Sequence, residues 1–151
     1  MKTKHRVASQ HKRRHRDDLA VYKTVGRSAT AMLTPSEITT CALPVHVGWE
    51  AIKTGKGSGR DVRAITEALS ICVIAAEEID PFLEETSISA AQAICGIAER
   101  YARIGRIGVD AAALRDIPPA LEFYDALLST ATSGQLFGWM ERVMQVKRVA
   151  Q

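Results

Sequence analysis

Residues 58–79 read SGRDVRAITEALSICVIAAEEI, and the apolar side chains among them recur at the three- and four-residue steps of one helix face. Two further isoleucines lie beside that face, so the apolar arc is wide and must be covered from more than one side. Ser58, followed three residues later by Asp61, matches a capping box, and Asp80 ends the helix because a residue before proline leaves the α region. The stretch therefore predicts a central helix that other helices surround.

Four more helices are predicted around this one. The clearest start is at Thr34, where a capping threonine is followed by proline at the first helical position and by glutamate at the third. This helix continues to about Lys53, and Pro44 inside it is expected to kink it. The others are expected from Thr86 or Ser87 to Gly105, from Asp116 after a short turn capped by Asp110, and from Thr132 to near the C-terminus. The predicted fold class is therefore all-α, a compact bundle of about five helices.

The helix before Gly105 carries two apolar stripes. One passes through Ile88, Ala91 and Cys95, and a second beside it passes through Ile94 and Ile97. Several alanines and a glycine on the same segment would let a neighbouring helix approach closely. We therefore expect this helix to pack against other helices of the bundle.

The composition fits one globular domain. A chain of 151 residues, 46% of them apolar, buries roughly 70% of its unfolded surface on folding. No run approaches the ~18 consecutive apolar residues of a membrane span, and no apolar run near the N-terminus indicates a secretory signal. Cys41, Cys72 and Cys95 lack metal-binding or disulfide spacing. We expect buried thiols in a reducing cytoplasm, and neither a metal nor another cofactor.

Charge divides the chain into a basic arm and an acidic body. Of the 20 basic and 17 acidic residues, residues 1–16 hold seven bases and no acid, which leaves 13 bases against 17 acids in the rest. We divide the sequence into an arm (1–17), a linker or short packing segment (18–33) and a helical domain (34–151). The arm lacks apolar periodicity, so we expect it to be disordered unless a partner orders it. Its seven bases are Lys2, Lys4, Arg6, Lys12, Arg13, Arg14 and Arg16.

The arm predicts binding to a polyanion. Clustered lysines and arginines gain affinity for nucleic-acid phosphates by releasing counterions, and they do so without reading base sequence. We favour DNA over RNA, and the absence of aromatic residues between the bases weakens the case for stacking on single strands. Two alternatives stay open at this point. The arm could bind an acidic surface, on another protein or on a second copy of the body, or it could be a solvated or targeting tail.

Two further stretches carry basic residues. Arg100, Arg103 and Arg106 lie three apart, and Arg103 and Arg106 are predicted to assist the arm by contacting phosphates. A milder explanation is that basic residues are favoured near a helix C-terminus. The loop from Gly55 to Arg60 looks like a phosphate loop, but its spacing differs from that motif and a helix precedes it, so a plain connection is favoured.

Other functional motifs are weak. The last two helices, joined around residues 130–133, make a weak candidate for a helix-turn-helix, with Trp139 and Arg142 facing outward. His46 is the only histidine outside the arm, and the sequence indicates no catalytic partner for it. No serine or cysteine stands in a nucleophile motif. We therefore predict a protein that is not an enzyme.

Several segments are similar to those of small helical proteins carried by bacteriophages and mobile elements of proteobacteria. The resemblance spans roughly residues 34–146 and implies a bacterial cytoplasm and a role in DNA handling or in inhibiting a host factor. It brings no known activity and no functional residues. The segments that carry it are Trp49–Gly55, Arg60–Asp61, Ala68–Leu69, Ala75–Glu77, Glu99–Arg106 and Ala120–Asp125.

The sequence therefore predicts a non-catalytic, nucleic-acid-binding accessory protein, encoded by a phage or mobile element, that contacts phosphates through its N-terminal arm. The alternative is a protein-interaction module, such as a phage inhibitor of a host defence or transcription complex. Self-association stays open as well, because an interior position for both Phe137 and Trp139 is not assured.

Overall fold

The structure is a computed structural model, and it describes residues 29–150. These residues form five α-helices and no β-strand, which confirms the all-α bundle predicted from the sequence. None of the five helices is long and apolar enough to cross a membrane. They are α1 (Pro35–Lys53), α2 (Gly59–Ile79), α3 (Pro81–Ile104), α4 (Ala111–Thr130) and α5 (Ser133–Val149).

Helix α2 is the centre of the bundle, as its wide apolar arc predicts. It packs against α1, α3, α4 and α5. Ile65, Leu69 and Cys72 have no exposed surface, and Ile71, which lies beside the main apolar face, is also buried. A helix whose apolar surface extends round so much of its circumference is stable only when neighbours cover it on several sides.

The predicted starts of α1 and α5 are confirmed by their capping boxes. The backbone N–H and the hydroxyl of Thr34 donate to the Glu37 carboxylate at 2.7 and 3.0 Å, and the Glu37 N–H donates back to the threonine oxygen at 3.3 Å. Thr132 and Gln135 form the same arrangement at the start of α5. Helix α1 continues through Pro44 as one element.

Helix α3 begins at Pro81, so the start predicted at Thr86 or Ser87 is wrong. Asp80 is extended and ends α2, but its carboxylate also accepts the Phe82 N–H at 2.8 Å, and proline at the first position needs no donor. Ser87 lies inside the helix, where its hydroxyl donates to the Leu83 carbonyl at 2.7 Å. The same two residues therefore stop one helix and start the next.

Helix α4 begins at Ala111, about five residues before the predicted start at Asp116. Asp110 does not cap an isolated turn, because its carboxylate accepts the Ala113 N–H at 2.8 Å and the helix continues without a break. Pro118 and Pro119 lie inside the helix. The carbonyls that lose a donor there belong to exposed residues four positions earlier, where water can replace the missing hydrogen bond.

The three cysteines differ in environment, and the expectation that all are buried is confirmed only for Cys72. Cys72 is buried and its thiol donates to the Ala120 carbonyl at 3.6 Å, whereas Cys41 is half-buried and Cys95 is exposed. Cys95 lies on the outer side of α3, where no other helix of the described chain covers the apolar stripe that it shares with Ile88. All three thiols are free.

A matched pair of leucine substitutions tests the central position of α2. We expect Leu69→Ala to lower the free energy of unfolding by about 2–5 kcal/mol, because the leucine is fully buried and its removal leaves a cavity. Leu43→Ala removes the same atoms from a side chain that is 56% exposed, and it should change the free energy by less than about 1 kcal/mol. Urea denaturation followed by circular dichroism measures both, and equal losses would contradict the central role of α2.

Candidate nucleic-acid interface

The seven bases predicted in the arm lie outside the residues that the structure describes, and binding by the arm stays a prediction. They are Lys2, Lys4, Arg6, Lys12, Arg13, Arg14 and Arg16. The structure describes the part of the interface that lies on the body, namely the side chains at the start of α2 and at the end of α3. The position where the chain enters the body is also defined.

The chain enters the described body along the start of α5. The backbone N–H of Ser133 donates to the Ala31 carbonyl at 2.8 Å, and that of Gly134 donates to the Ala29 carbonyl at 3.0 Å. Met32 also forms an isolated antiparallel bridge with Thr132. Glycine is required at 134 because a Cβ there would lie 2.7 Å from the Ala29 oxygen. The last residues before α1 are therefore tied to the α4–α5 turn.

The start of α5 lies near the end of α2. Trp139 Nε1 donates to the Glu78 carboxylate at 3.1 Å, whereas Lys147 Nζ lies 3.8 Å from the Glu67 carboxylate, so α5 runs antiparallel to α2. The 28 residues before Ala29 could span at most about 90 Å, while α2 is about 30 Å long. The basic arm is therefore long enough to reach either end of the body.

The structure separates Arg100 from the other two arginines predicted near the end of α3. Arg100 pairs with Asp110 at 2.8 Å and reaches the Gly108 carbonyl at 3.5 Å, so it connects α3 to the start of α4. Arg103 and Arg106 are exposed and make no ion pair with any described residue. Of the three arginines predicted near the end of α3, only Arg103 and Arg106 therefore remain available to contact phosphate groups.

Three more basic side chains lie at the same end of the bundle. Helices α2 and α3 are antiparallel, and a Cβ on Gly59 would contact the Tyr101 ring at 3.5 Å, so the start of α2 adjoins the end of α3. Lys56 and Arg60 were predicted only as part of a connecting loop, and Arg63 was not among the predicted site residues. The antiparallel pairing of the two helices is the feature that identifies these residues. It places five bases at one end of the bundle, and they are Lys56, Arg60, Arg63, Arg103 and Arg106.

We call these five residues the basic end. All five are exposed, and none forms an ion pair with a described carboxylate. The α2 N-terminus adds the positive end of a helix dipole to them, and the Asp61 carboxylate in its first turn offsets part of that charge. Such a cluster attracts anions over a distance of roughly a Debye length, about 8 Å at physiological salt.

Asp61 occupies the N-terminus of α2, which argues against a phosphate loop from Gly55 to Arg60. The backbone N–H and the hydroxyl of Ser58 both donate to the Asp61 carboxylate at 2.7 Å. The hydrogen bond from the Ser58 side chain is the main reason that the pKa of Asp61 lies below its usual value. A carboxylate of the chain itself therefore takes the position that a bound phosphate would need, and the basic end binds by its side chains.

The opposite end of the bundle is acidic. Arg142 neutralises part of it through ion pairs with Glu77 at 2.7 Å and Glu78 at 2.6 Å. Three carboxylates around the α2–α3 junction have no ion pair among the described residues, and they are Asp80, Glu84 and Glu85. Five bases without ion pairs therefore lie at one end of the described body, where Asp61 and Glu99 also lie, and three carboxylates without ion pairs lie at the other end.

In the weak helix-turn-helix candidate at the end of the chain, two side chains that would have to contact DNA bases are engaged by other residues of the bundle. Trp139, predicted to face outward, is buried with 5% of its surface exposed, and its indole N–H bonds to Glu78. Arg142 is engaged by two glutamates of α2. Trp139 and Arg142 therefore contact the bundle, whereas Gln135, Gln145 and Lys147 on the same helix are exposed.

His46 has a partner that the sequence did not indicate. Its Nε2 lies 2.9 and 3.0 Å from the two carboxylate oxygens of Asp125, and this contact joins α1 to α4.

Nearby, burial raises the pKa of the Cys72 thiol to about 12, and burial also raises the pKa of Cys41 and of Tyr124. The two thiols and the Tyr124 hydroxyl therefore stay protonated near neutral pH. No group of metal-ligating side chains occurs in the described residues.

Comparisons with protein-family models, with curated proteins and with solved structures found no match to this chain.

The charge on Asp61 should make a small, pH-dependent contribution to stability. Because the folded pKa is lowered, the stabilisation is present above the unfolded pKa of about 4 and is lost as the pH falls through the folded pKa. Asp61→Asn should therefore cost about 0.5 kcal/mol at pH 7, and the difference from the wild type should narrow below about pH 4. Urea titrations at several pH values measure this difference.

Glu122→Gln provides the control, because Glu122 is exposed in the middle of α4 and makes no ion pair among the described residues. It should show no comparable pH dependence. A gap between Asp61→Asn and the wild type that stays constant from pH 7 to pH 3 would show that the charge on Asp61 does not stabilise the helix.

Proposed function

We propose that this protein binds nucleic-acid phosphates through two basic elements, the N-terminal arm and the basic end of the body. The observation that carries the proposal is the grouping of five exposed bases without ion pairs where α2 begins and α3 ends. Unpaired lysines and arginines are solvated cations, and each one that approaches a phosphate releases condensed counterions from the nucleic acid.

The polarity of the body favours one orientation on a polyanion. The acids near the α2–α3 junction are repelled by phosphates, whereas the basic end is attracted to them, so the encounter is directed by the field of the whole body. The described residues carry more acids than bases overall, and binding through the body alone would therefore be weak. Residues 1–16 of the arm, with seven bases and no acid, supply most of the electrostatic attraction.

The proposed binding is independent of base sequence. The basic end presents no helix shaped to enter a groove, and phosphate contacts alone position a protein without specifying bases. Duplex DNA is the favoured ligand over RNA, since the resemblance to phage and mobile-element proteins implies DNA handling in a bacterial cytoplasm. The role that follows is that of a non-catalytic accessory protein.

A second candidate is a protein-interaction module, and the acidic end is the observation in its favour. Asp80, Glu84 and Glu85 lie close together without ion pairs among the described residues, so this end could bind a basic surface of a host protein in place of nucleic acid. A phage inhibitor of a host defence or transcription complex would use such a surface. In that case the protein would bind a purified basic partner and would not bind DNA.

Salt dependence tests the contribution of the arm. For the full chain, fluorescence anisotropy with a labelled duplex should give a slope of log affinity against log salt of about −3 to −6. Replacing Lys12, Arg13, Arg14 and Arg16 by glutamine keeps the length of the arm, and it should lower the affinity at least tenfold and reduce the slope by about 3. The same titration with RNA of matched length compares the two ligands. No binding of the wild type near physiological salt would overturn the proposal.

A pair of single substitutions tests the basic end separately. Arg103→Gln should weaken binding about twofold to fivefold and reduce the salt slope by about 1, because one phosphate contact is lost. Arg115→Gln removes the same charge at a position beside Phe82 and Glu85, away from the basic end, and should change the affinity by less than twofold. Equal effects of the two substitutions would show that only net charge matters and that the basic end is not a contact surface.

A further inference from the structure

An exposed apolar patch lies where α2 ends and α3 begins. Ile79 is 53% exposed and Phe82 is 72% exposed, and only two residues separate them in the chain. Phe82 also lines a cavity between α3 and α4, together with Glu85 and Pro119. Contiguous apolar surface that a folded chain leaves in water commonly marks a docking site. We call Ile79, Phe82 and the cavity beside them the apolar patch.

Acidic side chains border the apolar patch. Glu84 and Glu85 make no ion pair among the described residues, and Asp80 caps the start of α3. Arg115 and Arg142 lie near this end of the bundle, but both already pair with other carboxylates. A segment that combines apolar side chains with adjoining bases would therefore complement both the patch and its border.

The N-terminal part of the chain enters the body at this same end. The Gly134 N–H donates to the Ala29 carbonyl at 3.0 Å, and Gly134 lies five residues, about 8 Å along α5, before Trp139. The Trp139 indole in turn bonds to Glu78, the residue before Ile79. The chain therefore leaves the described body one or two helix diameters, roughly 10–20 Å, from the apolar patch.

The sequence that precedes Ala29 carries apolar residues and bases in the order that this surface requires. Leu19, Tyr22 and Val25 lie within ten residues of Ala29, which allows a span of up to about 35 Å. The densest basic run of the arm, residues 12–16, comes before them, and only two acidic residues lie between. When the apolar residues contact the patch, the bases consequently reach its acidic border.

We propose that residues 12–28 dock on the apolar patch of the same chain. Leu19 and Tyr22 contact the patch, and the basic run 12–16 lies beside Glu84 and Glu85. Because a short tether holds the segment near its site, its effective concentration is on the order of millimolar, and weak contacts are sufficient. The length of the tether, the place where it leaves the body and the complementary charges all favour the chain's own segment as the occupant.

Docking competes with phosphate binding, and this consequence rests on the proposed function. The bases of residues 12–16 cannot contact Glu84 and Glu85 and a phosphate group at the same time. The apolar patch also lies at the end of the bundle opposite the basic end, so a docked arm is held away from the other half of the interface. The apparent affinity for nucleic acid is therefore reduced by the fraction of chains in which the arm is docked.

Nuclear magnetic resonance on the full chain, without nucleic acid, tests the docking. Leu19→Ser combined with Tyr22→Ser removes the apolar contact, and it should shift the amide resonances of residues 79–86 and leave those of residues 59–63 unchanged. Val7→Ser is the control, because it removes an apolar side chain that precedes the basic run, and it should shift neither set. Unchanged resonances at residues 79–86 in the double variant would overturn the proposal. So would shifts that depend on protein concentration, since the segment would then dock on another copy.

Removing the acidic border tests the competition. Glu84→Gln combined with Glu85→Gln should raise the affinity for duplex DNA, measured by fluorescence anisotropy, about threefold more than Glu122→Gln combined with Glu141→Gln does. The two pairs change the net charge equally, and Glu122 and Glu141 are exposed and make no ion pair among the described residues. Equal effects would contradict the competition. A wild type that does not bind DNA would overturn the proposed function and the competition with it, whereas the resonances alone decide the docking.

Discussion

The burial of α2 is the constraint on which the rest of the bundle depends. This helix has apolar side chains around much of its circumference, and Ile65, Leu69 and Cys72 are completely removed from water. No single neighbour can cover such a helix, so α1, α3, α4 and α5 all pack against it. The short connections between the helices make consecutive helices antiparallel. The two ends of α2 consequently lie at the two ends of the described bundle, and charged residues that are distant in sequence lie together near each end.

The sequence predicted the helices well where capping and periodicity agree. Thr34 with Glu37 and Thr132 with Gln135 are local signals, and each is satisfied by hydrogen bonds within four residues, so no tertiary information is needed. Pro81 and the pair at 118–119 were misjudged because proline has two readings. Proline disfavours the helical conformation of the residue before it, which ends a helix, but it also suits the first turn of the next helix. Inside a helix it is tolerated where water can reach the carbonyl that has lost its hydrogen bond.

The candidate site was predicted less completely than the fold, because its residues are distant in sequence. Arg60 and Arg103 are separated by more than forty positions, and only the antiparallel pairing of α2 with α3 brings them to one end. Arg100 shows the opposite case. It belongs to the same basic row in sequence, but its ion pair with Asp110 uses it to join two helices. Periodicity shows which face of a helix a base occupies, and it does not show whether an acid from another helix neutralises that base.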